Sequence, residues 1–150
     1  LLKMYNKKKN IFYSYDLKNK FFINIPSISN YFILFADMND KKVNKKIIES
    51  LKKYNQKEKY IFSSIKPDHK SFEEKRYWRG PVWINTNWII YQSLKNKDKV
   101  YAKQIKDKTI KLIEEKNFFE YYSCKNAETL GANNFSWSSA LYLDLIYESN

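Results

Sequence analysis

The chain has 150 residues, 28 Lys and Arg against 16 Asp and Glu for a formal charge of +12, and 18% aromatics. That length supplies a core for one domain of ordinary size, and 43% hydrophobic content with so many rings argues against disorder. A single Cys excludes an internal disulfide framework and a thiol cluster for zinc, no apolar run approaches the roughly 20 residues of a membrane span, and two glycines argue against a glycine-rich nucleotide fold.

The chain opens on Leu1-Leu2-Lys3, without an initiator Met and without the charged, apolar and small-residue regions of a secretory leader. The expectation is a cytoplasmic piece of something longer. Residues 11–25 alternate: Ile11, Tyr13, Tyr15 and Leu17 share one face, and Phe21, Ile23 and Ile25 follow a polar turn at Lys18-Asn19-Lys20, which predicts a short β-hairpin. Pro26-Ser27 opens an apolar stretch, 28–36, that reads as a buried helix. Asp40 is placed to cap a second helix in which Val43, Ile47, Leu51 and Tyr54 repeat on one face of an otherwise Lys-rich cylinder. Residues 55–77 carry no period and read as a long loop.

Gly80-Pro81 predicts the start of a third helix, buried on most sides, running to about Leu94 with Pro at its first position. A fourth, about 98–116, is amphipathic through Tyr101, Ile105, Thr109 and Leu112. Residues 118–123 read as extended or loop, and Asn134 is placed to cap a last helix, 135–147, apolar nearly all round. Buried helix, amphipathic helix and loop thus alternate, as in a double layer of helices whose inner ring is covered by an outer one. Five helices cannot close such a ring.

Three loop-to-helix junctions concentrate unusual chemistry. Residues 77–88, Tyr-Trp-Arg-Gly-Pro-Val-Trp-Ile-Asn-Thr-Asn-Trp, combine stacking faces with hydrogen-bond forks, which suits the apolar face and hydroxyl rim of a sugar ring. Trp83 and Trp88 equally fit the core of a buried helix. In Phe118-Phe119-Glu120-Tyr121-Tyr122 a carboxylate is flanked by aromatics, a dry setting useful for proton transfer. In the third junction, 133–140, Trp137 is placed to line a pocket. His69 reads as a loop residue and Cys124 as inert. Asp16 is either a turn acid or a residue near the pocket, and Asp144 needs a partner that sequence does not identify. The lysines are spread over separate helix faces, so a solvated surface explains the charge better than a nucleic-acid site.

These segments, with 130–141 (Leu-Gly-Ala-Asn-Asn-Phe-Ser-Trp-Ser-Ser-Ala-Leu) and weaker echoes at 12–17 and 26–29, resemble the C-terminal part of the catalytic domain of glycoside hydrolase family 63 and its mannosylglycerate hydrolase-like relatives. The resemblance implies an all-α fold, the last third of an (α/α)6 toroid carrying a short β-hairpin near its N-terminus, with 1–150 as one C-terminal fragment. It implies inverting hydrolysis of an α-glucoside or α-mannoside with Glu120 as general base, and Trp78, Arg79 and Trp137 at the sugar subsite nearest the scissile bond. Tyr77, Gly80, Trp83, Asn87 and Tyr121, in the same motifs, complete the candidate substrate-binding set. No cofactor or metal is implied, and no membrane or specific nucleic acid. The partners implied are a carbohydrate and the upstream part of the domain. The family's general acid, an Asp in an earlier motif, has no counterpart in this sequence, so the isolated chain is expected to lack turnover; a carbohydrate-binding remnant is the alternative, and a basic nucleic-acid-binding domain a more distant one. Trp78-Arg79 and Glu120 are expected on one concave surface, and the helices at 28–36 and 135–147 are expected to leave an apolar flank uncovered.

Overall fold

Helix starts in this chain follow the side chains able to cap them, where no long-range pairing competes. The computed structural model describes residues 4–36, 40–54 and 59–148. The expectations for Leu1–Lys3 and for the first part of the 55–77 loop therefore lie outside the described residues. Asp40 accepts from the Val43 amide at 3.0 Å and opens α1, Lys41–Tyr54, whose Ile47 and Leu51 are fully buried. Asp98 does the same for α3, Lys99–Lys116, accepting from the Tyr101 amide at 3.1 Å. Tyr101, Ile105, Thr109 and Leu112 form the buried face of α3, as their spacing predicts.

Two other starts differ from the sequence reading. The third helix, α2, runs Ile84–Leu94 and not from Pro81. Pro81–Trp83 stays extended because Val82 is taken up by pairing: its amide donates to the Tyr122 carbonyl at 2.8 Å, and the Tyr122 amide returns a bond to Val82 at 3.0 Å. The last helix, α4, runs Ser136–Tyr147 and has no side-chain cap. Asn134 adopts a left-handed φ of 52°, which Asn tolerates better than most residues, so its side chain does not cap the helix.

The N-terminal region holds two ribbons where one hairpin is expected. Strands β1 (Tyr5–Asn6) and β2 (Ile11–Phe12) pair, and β3 (Ser14–Asp16) pairs with β4 (Phe21–Ile23), all antiparallel. Ile11 and Tyr13 are buried as predicted, but Leu17 is 83% exposed and β4 faces outward. The 28–36 stretch is a 3-10 helix, Ile28–Leu34, and not an α-helix. Ser27 caps it, and Asn30 reaches from it to the Phe12 carbonyl at 2.6 Å, fastening it to β2. A third ribbon pairs β5 (Phe119–Tyr122) with β6 (Thr129–Asn133), so the all-α expectation gives way to a helix-rich fold with small sheets.

Helix α2 sits between the 3-10 helix, α3 and α4, and one apolar core gathers Leu34, Ile47, Leu51, Ile90, Leu94 and Ile105. A second, around Val82, Ile84, Leu112, Ile113 and Tyr122, underlies the β5–β6 end. Helix α4 is apolar nearly all round yet only Ser138 and Leu145 are buried. Leu143, Ile146 and Tyr147 stand in solvent at 50%, 41% and 78% exposure, which corrects the expectation of a buried last helix within this chain while leaving the apolar flank in view. Among the described residues, no helix is long and apolar enough to cross a membrane.

Candidate functional site

The segment before α2 closes on itself as an arch. The Glu73 amide donates to the Arg79 carbonyl at 2.9 Å, the Arg76 amide to Glu73 at 3.0 Å, and the Arg79 amide to Arg76 at 2.7 Å. Gly80 lets this happen: a Cβ there would lie 2.2 Å from the Glu73 carbonyl oxygen. At the crown, Tyr77 takes a φ of 33°, rare for a bulky residue and a store of local strain.

That crown carries the aromatics. Trp78 stacks with Trp83 at 3.9 Å between ring centroids and 9° between planes, and Trp83 stacks with Tyr121 at 4.7 Å and 24°. Tyr77 meets all three edge-on, at 5.8, 4.9 and 5.7 Å. Trp83 is buried, with its indole N–H on the Tyr77 carbonyl at 3.1 Å, so it supports the stack, whereas Trp78 and Tyr77 stay 40% and 50% exposed. The exposed faces are the ones a planar or saccharide ligand can reach.

Glu120 lies beside this stack on β5. Its carboxylate accepts from the Ala132 amide of β6 at 3.1 Å, and the strand pairing slips one residue between Phe119 and Tyr121. Gly131 accommodates the pair: a Cβ there would stand 2.5 Å from the Glu120 carboxylate and 2.7 Å from the Tyr121 ring, at a φ of 74°. Burial first, then the Glu120 charge and Tyr77, push the Tyr121 phenol above its ordinary range.

Arg79 is ion-paired to Glu73, which also receives Arg76 at 3.1 Å; these arginines, Arg76 foremost, hold the Glu73 carboxyl below its usual range. Trp137, 43% exposed, stands on the first turn of α4, tied to β5 by Ser138 donating to the Phe119 carbonyl at 2.6 Å. Of the remaining candidates, Gly80 is buried in the arch as a packing residue. Asn87 is fully buried between α2 and α3, donating to Thr109 at 3.2 Å, and lies in the helix interface and not on the exposed stack. Asp16 is a turn acid, accepting twice from Asn19 at 2.8 and 2.9 Å. His69 accepts from the Ser71 amide at 3.2 Å in the loop, Cys124 is buried, and Asp144 finds its partners in Trp88 and Gln92.

Sequence reasoning missed Glu73, Glu74 and Gly131. In a chain with two glycines, each glycine is itself a signal, and two adjacent acids, separated only by Lys75-Arg76 from the aromatic motif, are another. A cleft of about 590 Å³ at the far end of α2 and α3 is a different feature. There Lys95 pairs with Glu148 and the Lys106 ammonium donates to the Glu148 carbonyl at 2.9 Å, cations serving the C-terminal end of α4.

Residues 1–138 match the family described as the mannosylglycerate hydrolase MGH1-like glycoside hydrolase domain. A mannosylglycerate hydrolase of Thermus thermophilus is 29% identical over 141 residues, covering 93% of this chain and 34% of that protein. Among solved structures, a glycoside hydrolase family 63 mannosylglycerate hydrolase from Thermus thermophilus in complex with glucose superposes with a TM-score of 0.88 at 27% identity, over 99% of this chain and 38% of that one. A second structure of that enzyme, in complex with Tris and D-glycerate, gives the same TM-score and identity over 99% of this chain and 36% of that one. The chain thus spans about a third of the length of the relatives it matches.

Proposed function

We propose, since the chain belongs to the mannosylglycerate hydrolase MGH1-like glycoside hydrolase family, that it carries the general-base half of an inverting active site acting on an α-glycosidic bond. In this reading residues 1–150 are the C-terminal part of one (α/α)6 catalytic domain. The substrate is a glycoside of the glycerate type, mannosyl or glucosyl. The observation that carries the reading is the stack of Trp78, Trp83 and Tyr121 beside the Glu120 carboxylate. The stack offers a flat apolar face for a pyranose ring, and Glu120 an oxygen able to take a proton from water.

Each group then has a task. Exposed Trp78 packs against the sugar's C–H face, and Arg79 and Trp137 border the same subsite. Trp83 and Tyr121 set the height of the platform. Glu120 deprotonates a water that attacks the anomeric carbon from the face opposite the leaving oxygen. Inversion needs a second carboxyl about 6.5–9.5 Å away to protonate that oxygen. We assign it to an Asp on the upstream part of the domain, so the isolated chain binds sugar without turning it over.

The test mixes the 150-residue chain with a polypeptide carrying the upstream two thirds of a relative, using mannosylglycerate and glucosylglycerate. Hydrolysis is expected only in the mixture, and Glu120→Gln should lower its rate by about 10²–10⁴-fold while sugar binding persists. Turnover by the chain alone would show that the acid is misplaced. An active Glu120→Gln mixture would remove the base assignment.

A further inference from the structure

The arch that carries Tyr77, Trp78 and Arg79 and the strand that carries Glu120 and Tyr121 are separate in sequence, and a stacking face is useful only at a fixed height and distance from the base. The structure shows what ties the two together. The Glu74 carboxylate, just inside the arch, accepts from the Ser123 hydroxyl at 2.7 Å and pairs with the Lys125 ammonium at 2.8 Å. Ser123 lies three residues past Glu120. The turn that presents Ser123 and Lys125 is itself closed, with the Ser123 amide on the Glu128 carbonyl at 2.9 Å and the Ala127 amide on Ser123 at 3.1 Å.

We propose that Glu74 is a positioning residue of the candidate site, clamping the strained Tyr77–Arg79 arch to the β5–β6 turn and so fixing the Trp78 face relative to Glu120. The clamp rests on the sugar-site reading above for its purpose, though not for its geometry. A left-handed tyrosine persists only where its surroundings over-determine it, and through Glu74 the Ser123 hydroxyl and the Lys125 ammonium supply that constraint from outside the arch. In the neighbouring pair, Lys75 to Glu128 at 2.7 Å, both side chains are exposed, at 56% and 42%, and such pairs contribute little. Glu74 is different: its side chain is 24% exposed, and one carboxylate holds both a neutral donor and a cation, a charge-assisted arrangement with defined direction. Lys125 in turn lies over the Phe72 ring, at 6.0 Å from its centroid, which packs the base of the arch around the same ammonium.

The experiment uses the full 150-residue chain with D-glucose as probe. Trp78 protons over Trp83 carry ring-current shifts, which report the stack directly and do not depend on catalysis. Glu74→Ala is expected to return the Trp78 indole protons toward free-indole positions while the cooperative thermal transition survives. Glucose affinity should fall about tenfold, because the two arch aromatics must then be ordered on binding. Glu74→Gln, which keeps the shape and the Ser123 contact, should restore most of both signals. Unchanged Trp78 shifts in Glu74→Ala would overturn the proposal. If Glu74→Ala does not fold, Ser123→Ala and Lys125→Met, each removing one partner, must each shift the Trp78 protons partway; silence in both overturns it equally. Should wild type fail to bind glucose while Trp78 still responds to Glu74→Ala, the sugar-site reading fails and the clamp stands.

Discussion

Alanine at each of the two glycines should separate the stability of the arch from the geometry of the base. Gly80 has a φ of −164°, outside the left-handed region, but its added methyl would sit 2.2 Å from the Glu73 carbonyl oxygen and 2.7 Å from the Glu74 Cα. Those atoms belong to main chain locked by the arch's own hydrogen bonds, so the cost is overpacking, about 1–3 kcal/mol. Gly131 meets two penalties. Its φ of 74° disfavours a Cβ by about 1–2 kcal/mol, and the methyl collides with the Glu120 carboxylate at 2.5 Å and the Tyr121 ring at 2.7 Å. Adding an overpacking cost of about 1–3 kcal/mol gives about 2–5 kcal/mol for Gly131→Ala. At about 2–4 °C per kcal/mol for a chain of this size, its midpoint should drop about 4–20 °C, against about 2–12 °C for Gly80→Ala. Thermal unfolding followed by circular dichroism measures both. Gly131→Asn separates the two contributions, since Asn tolerates the left-handed region but keeps the clash. Only Gly131→Ala should also shift the Tyr121 ring protons, because there side chains yield and not main chain. A Gly131→Ala chain with wild-type midpoint and unmoved Tyr121 signals would show that the close packing around Glu120 is not real.

Trp83→Ala, which empties the buried base of the stack, should cost about 3–5 kcal/mol, whereas Trp78→Ala, 40% exposed, should leave the unfolding midpoint far less changed and instead remove glucose binding; equal midpoints for the two would contradict the supporting role of Trp83. The bare apolar face of α4 should drive self-association of the isolated chain, and Leu143→Lys with Ile146→Lys should reduce it in light scattering; a monodisperse wild type would refute this. Burial, with Glu148 beside it, pushes the Tyr91 phenol from 10.0 up to about 12. The folded chain therefore holds this proton more tightly than the unfolded one, so the contribution is complete below pH 10 and is lost as pH rises through the interval to about 12. Tyrosinate absorbance of wild type against Tyr91→Phe checks the assignment, and a normal titration would refute it.

What could be read from the sequence was local. The Tyr101, Ile105, Thr109 and Leu112 spacing located α3 within a residue, and Asp40 located α1. The misplaced starts both came from partners distant in sequence. Gly80-Pro81 has the local signature of a helix start, yet Val82 is held in extended backbone by Ser63 on one side and Tyr122 on the other. Asn134 has the local signature of a cap, yet the Phe135 amide is taken by the Phe118 carbonyl at 2.8 Å and the chain turns there through a left-handed residue. The same division runs through the site. The aromatic motif and Glu120 stand out as residue types, whereas the burial of Trp83 and Asn87, the enclosure of Gly131 and the reach of Glu74 across to Ser123 are decided by tertiary contacts that no spacing encodes.

The reciprocal hydrogen bonds between Val82 and Tyr122 also govern the order in which the molecule can assemble. Between those two residues lie all of α2 and all of α3. Bringing the ends of so long a segment together costs chain entropy that local contacts do not repay, unless the intervening helices have already paired and shortened the path. The two amides at this rung should therefore exchange with deuterium in step with the α2–α3 pair and not with the nearby surface loops. The sugar face and the base would then come apart only when the helical pair does, leaving the platform either wholly present or wholly absent.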